Sequence, residues 1–172
     1  MDLKSKIRVI EGFPHKGVSF KDITTLLADP EAFRYTIQQM AEYCRTKDID
    51  QIVGVESRGF LFGAPLAYEL GLGFTLIRKP GKLPGEVFRG EYDLEFGTDA
   101  LEIHRDAIKP GQKIIIVDDL LATGGTISAA ASLVEELGCE IAGFLFLIEL
   151  EYLKGREKLA DYDVCALVKY DQ

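Results

Sequence analysis

The chain has 172 residues, of which 47% are hydrophobic and 28% charged, and it carries a net charge of −8. That size and balance suit one compact domain with a substantial core and argue against disorder. The negative charge argues against a general surface for nucleic acid or anionic membrane, so an anionic ligand has to meet locally placed cations.

In chain order, Asp29-Pro30 predicts a helix start, with Asp as N-cap and Pro in the first turn. Phe33, Ile37, Met40, Ala41 and Cys44 then share one helical face. Gln51 to Val55 reads as a short strand, Gly59 to Leu70 as a helix and Gly73 to Arg78 as another strand. Residues 79 to 90 hold two prolines and three glycines among charges, the composition of a mobile lid. Val87 to Phe96 and Leu101 to His104 are the expected arms of a β-ribbon. Ile114 to Val117 is a buried strand, and the helix after Gly125 buries Ile127, Ala130, Val134 and Leu137 before stopping at Gly138. The apolar stretch Ile141 to Ile148 has the length of one more buried strand. Alternating strands and helices predict an α/β fold with a parallel sheet covered on both faces, one domain over 1–172. No apolar run has the length of a membrane span, and MDLKSKIRVIEGFP has no apolar signal region. Cys44, Cys139 and Cys165 read as buried free thiols, so the expected location is a reducing cytoplasm.

KIIIVDDLLATGGTI, Lys113 to Ile127, carries the most chemistry. Asp118 and Asp119 are expected at the carboxyl end of the strand, where α/β sheets bind ligands. Ala122, Thr123, Gly124, Gly125 and Thr126 can wrap an anion with backbone N–H groups, and the next helix adds its positive dipole end. Carboxylates repel phosphate but accept hydrogen bonds from sugar hydroxyls, so the ligand satisfying both halves is a ribose 5-phosphate. Neither GxxxxGK[ST] nor GxGxxG occurs, which argues against a nucleotide triphosphatase or a dinucleotide-binding dehydrogenase. ESRGFLFG repeats the strand-to-helix geometry and offers a second anion site at Ser57 and Arg58. His15 and His104 lack a second ligand at metal spacing, so no metal site is expected from protein side chains alone.

VDDLLATGGT resembles the phosphoribosyl diphosphate signature of the type I phosphoribosyltransferases, and the wording DLLATGGT is similar to the adenine branch. Matching stretches follow through the chain: GVSFKDIT, ESRGFLFG, IRKPGKLPG, YDLEFG, LEIH and LKGREKL. The resemblance implies a mostly parallel sheet flanked by helices, an N-terminal hood over the base at about 1–30, and a flexible lid and ribbon at about 79–104. It implies a purine-salvage reaction in which adenine and phosphoribosyl diphosphate give AMP and pyrophosphate. Asp118 and Asp119 would hold the ribose hydroxyls, Ala122 to Thr126 the 5-phosphate, and Ser57, Arg58, Arg78, Lys79 and Lys82 the pyrophosphate, with Arg78 reaching a neighbouring subunit's site. Phe20 would stack on the base, Leu120 close its other face, and backbone groups of Ser19 and Lys21 read its edge. Glu95 matches the catalytic glutamate by position, with Glu86 and Glu91 as nearby competitors, and Phe96 stands where tyrosine is commoner. Magnesium is implied with the diphosphate, held mostly by substrate oxygens and water, and the assembly implied is a homodimer. Alternatives are a transferase for hypoxanthine, guanine or xanthine, or a ligand sensor that kept the fold without catalysis.

Overall fold

From the N-terminus, β1 (Arg8–Glu11) and β2 (Ser19–Asp22) pair antiparallel, followed by α1 (Thr24–Ala28) and α2 (Pro30–Arg45). Then come β3 (Gln51–Val55), α3 (Arg58–Leu70) and β4 (Gly73–Ile77), and an antiparallel ribbon of β5 (Val87–Asp93) and β6 (Thr98–His104). The chain ends in β7 (Lys113–Leu121), α4 (Gly125–Glu136), β8 (Glu140–Leu150), short 3-10 turns at Glu151–Leu153 and Gly155–Leu159, and β9 (Val164–Tyr170). This computed structural model describes residues 1–94 and 96–172, so Glu95 lies outside the described residues.

β3, β4, β7, β8 and β9 form one parallel sheet in the order β4-β3-β7-β8-β9. Alternation along the strands splits the core in two. On β7 and β8, Ile115, Val117, Leu145 and Leu147 face α2 and α3, while Ile114, Ile116, Phe144 and Phe146 face α4. Both faces are therefore covered, which is why these strands read as continuous apolar runs. Strand order reverses between β3 and β7, and the loops leaving their carboxyl ends diverge around a crevice.

α2 starts as expected: the Asp29 side chain accepts from the N–H groups of Glu31 and Ala32 and pairs with Lys6 at 2.8 Å. Four expectations need correction. β7 runs on to Leu121, so Asp118 and Asp119 lie inside the strand; its ladder with β8 continues through Asp118↔Phe146 and Leu120↔Ile148. The first ribbon arm stops at Asp93, and the second begins at Thr98, because Asp93 and Thr98 already pair. β4 ends at Ile77, and Arg78 instead bridges to Glu102. Cys44 and Cys139 are buried, but Cys165 is only half-buried because its strand lies at the sheet edge; all three are free. No described helix is long and apolar enough to cross a membrane.

Candidate active site

The crevice at the strand reversal is a cavity of about 390 Å³. β3 delivers Glu56, Ser57 and Arg58 to one wall, and β7 delivers Asp118 to Leu121; the turn Ala122 to Thr126 closes the end. Every residue expected at the sugar and its 5-phosphate thus lines one cavity. The turn works because Gly124 sits at φ +85, a left-handed conformation costly for any side chain, directly before the first turn of α4. Its outer side is packed by Gly155: a Cβ on Gly124 would come within 2.7 Å of the Gly155 carbonyl, and one on Gly155 would collide with the Ala122 carbonyl.

The adjacent aspartates differ in environment. Asp119 is buried and accepts from Arg58 Nε at 2.6 Å, while its own N–H donates to Asp118 Oδ1 at 2.8 Å. Burial, and next the charge of Asp119 beside it, push the Asp118 carboxyl well above the usual range. Among the acids lining the cavity, Asp118 is the one not paired with a lysine or arginine. Arg58 itself, expected at a pyrophosphate, lies on Asp119 and forms a wall shared with a second cavity.

The basic cluster is matched by acids that motif reading passed over. Arg78 Nε and Lys82 Nζ both reach Glu56, at 3.2 and 2.6 Å, and the Lys79 N–H donates to the same carboxylate at 2.7 Å. Burial would raise the Glu56 carboxyl, but Lys82, the Lys79 amide and Arg78 outweigh it and hold the group below the ordinary range. Lys79 Nζ donates to Tyr92 Oη at 2.9 Å and to the Asp99 carboxylate. Of the four expected pyrophosphate cations, Arg58 and Lys79 line the cavity, whereas Arg78 and Lys82 gather on Glu56 outside its lining. Tyr92 also stands 3.5 Å from Thr126 Oγ1, which joins the ribbon to the glycine turn. Glu56, Tyr92, Asp99 and Gly155 are the site residues missed from sequence. Glu56 could have been found, since it directly follows a strand's carboxyl end; the others are brought in by tertiary packing.

Phe20 lies in a separate, largely apolar cavity of about 390 Å³, with Ile10, Phe13, Ile23 and Arg58. The Phe13 and Phe20 rings meet edge-on at 5.1 Å. Lys21 also lines this cavity; its Nζ donates to Ser19 Oγ at 2.8 Å and lies over the Tyr170 ring. Ser19 lies outside that lining, with its hydroxyl donating to Glu11 at 3.0 Å, and Leu120, expected on the other face of the base, lines the crevice cavity instead. Glu86 and Glu91 line neither cavity, and Phe96 is 88% exposed. Among the described residues, no group of three metal-binding side chains comes together.

Residues 22–169 match the phosphoribosyl transferase domain family. An adenine phosphoribosyltransferase of Clostridium perfringens (strain 13 / Type A) is 65% identical over 171 residues, which is 99% of each chain. The crystal structure of adenine phosphoribosyltransferase from Thermoanaerobacter pseudethanolicus superposes with a TM-score of 0.95 at 55% identity over 98% of both chains. That from Saccharomyces cerevisiae, complexed with an imino-altritol bisphosphate and adenine, superposes at 0.91 with 44% identity over 96% of both. On these matches the chain belongs to the phosphoribosyl transferase domain family and, within it, to the adenine phosphoribosyltransferases.

Proposed function

We propose that the chain transfers the phosphoribosyl group of phosphoribosyl diphosphate to adenine, giving AMP and pyrophosphate. The observation that carries this reading is the single cavity in which two carboxylates and a glycine turn stand together, next to an aromatic cavity and sharing Arg58 with it. The backbone of Ala122 to Thr126 grips the 5-phosphate, remote from the reacting bond, and orients the sugar. Asp118 and Asp119 accept from the ribose hydroxyls and favour the positive charge that develops on the ring as the diphosphate departs. Phe20 supplies a stacking face for adenine, worth roughly 1–3 kcal/mol, and Leu120 borders the sugar side. Ser57, Arg58 and Lys79 meet the diphosphate, while Arg78 and Lys82 exchange Glu56 for the incoming anion. Glu95, assigned by its place in YDLEFG, manages the proton lost by the attacking base.

Magnesium would arrive with the diphosphate, held mostly by substrate oxygens and water, and Asp118, unpaired among the described residues, is the carboxylate the cavity would offer it. Such an ion would offset negative charge on the leaving group. The 79–104 segment acts as a lid in the same reading, the Lys82–Glu56 ion pair being its exchangeable contact with the rest of the fold. A homodimer and a reducing cytoplasmic setting belong to this proposal; exposed Leu61 and Tyr68 and three free cysteines support them.

A spectrophotometric assay with phosphoribosyl diphosphate and each purine base in turn tests the reading. AMP formation from adenine is the expected result. Turnover of hypoxanthine or guanine with none of adenine overturns the choice of base.

A further inference from the structure

We propose that Lys158 is a further phosphate-binding residue, whose ammonium supplies the positive charge of the 5-phosphate cradle. The inference rests on the reading of Ala122 to Thr126 as that cradle. Lys158 Nζ lies 4.0 Å from the position a Cβ on Gly125 would take. The ammonium therefore lies beside Gly125, the first residue of α4 and a member of the cradle.

The turn carrying Lys158 is held firmly. Gly155 packs against the cradle's Ala122 carbonyl, and Leu159, 1% exposed, is part of the same core cluster as Ile127. Between them, Arg156 grips the buried Glu149 through Nε at 2.9 Å and Nη2 at 2.5 Å and donates to the Val164 carbonyl at 2.9 Å. Hydrogen bonding to Arg156 keeps Glu149 below its ordinary range, so the clamp stays ionised. A lysine on such a turn has its Cα placed before any ligand arrives, and only the exposed side chain remains to be ordered.

Charge matching points the same way. The cavity's own cations are engaged, Arg58 by Asp119 and Lys79 by Asp99. Glu149 and Glu151, the acids nearest in the sequence to the 155–159 turn on its N-terminal side, are taken by Arg156 and Lys169. Lys158 forms no ion pair among the described residues. A phosphate held by neutral N–H groups and a helix dipole of about half an elementary charge leaves most of its charge unmatched. One ammonium at the rim corrects this without occupying the cavity, whose lining does not include Lys158.

The test is titration calorimetry of ribose 5-phosphate and, separately, magnesium pyrophosphate into the parent chain, Lys158→Gln and Lys158→Arg. Because the side chain is exposed, unchanged thermal midpoints are expected. Lys158→Gln is expected to weaken ribose 5-phosphate about threefold to tenfold, the range for a partly exposed charge-assisted contact, and to leave pyrophosphate within twofold. Lys158→Arg is expected to restore most of the loss, and the difference should shrink as salt rises. Ribose 5-phosphate affinity unchanged by Lys158→Gln, or equal weakening of both anions, overturns the inference. If the parent chain binds neither anion, the functional reading fails first and the inference falls with it.

Discussion

Asp118 and Asp119 are neighbours of one chemical type, and their surroundings separate them. Arg58 holds Asp119 as an ion-paired anion, whereas Asp118 is partly buried beside that charge without a cation of its own. The folded-state pKa of Asp118 is raised, so folding favours its protonated form. The resulting stability is complete below the unfolded value, at about pH 4, and is lost as pH rises through the folded value. Removing the charge should therefore stabilise the protein near neutrality. We expect Asp118→Asn to raise the thermal midpoint at pH 7.5 by roughly 2–4 °C, about 1 kcal/mol for a chain of this size. The gain should fade as pH is lowered toward 4. The same change is expected to reduce kcat/KM for phosphoribosyl diphosphate by on the order of a hundredfold. Thermal scans across pH and steady-state kinetics check the two halves, and a variant less stable than the parent at every pH contradicts the electrostatic account.

At the scale of elements, the phosphate turn is shaped from outside as much as by its own residues. Gly124 provides the left-handed turn, but the 3-10 turn Gly155–Leu159 is its backing, and Gly155 leaves no room for a side chain against the Ala122 carbonyl. Gly155→Ala should push the turn out of position, raising KM for phosphoribosyl diphosphate about tenfold or more with a smaller change in KM for adenine, because orientation at the cradle is lost. An unchanged KM would show that the turn tolerates the shift. Helix α2 gives a contrasting case, distant from the chemistry. Asp29 caps its first turn and holds Lys6, so Asp29→Ala is expected to lower the urea midpoint, with an unchanged m-value and unchanged kinetics.

For the whole molecule, the parallel sheet is the common wall of two apolar layers, and the site sits at the carboxyl ends of its interior strands β3 and β7. Phe146 is fully buried in the layer beneath α4, alongside Ile127 of the helix that carries the phosphate turn. Phe146→Ala should cost about 3–5 kcal/mol through lost burial and the cavity left behind. Because β8 supplies side chains to both layers, loss should be shared: a single transition by both circular dichroism and intrinsic fluorescence is expected, at lower denaturant. Two separated transitions would show that the layers fold independently.

Local rules were enough for much of this. Asp29-Pro30 marked a helix start, Gln51 to Val55 a strand with the observed boundaries, and Ala122 to Thr126 a turn opening into a helix, because caps, periodicity and glycine placement act within a few residues of one another. The sequence also placed the two aspartates beside that turn, and both line the same cavity. Long-range pairing decided the rest. β7 continues through Asp118 and Asp119 only because β8 is there to pair with it, and the motif cations Arg78 and Lys82 rest on Glu56 because separate strands deliver them to one place. Gly155 and Lys158 reach the glycine turn from about thirty residues further along the chain. Contacts between residues far apart in the chain depend on how the layers stack, and no spacing within a single motif encodes that.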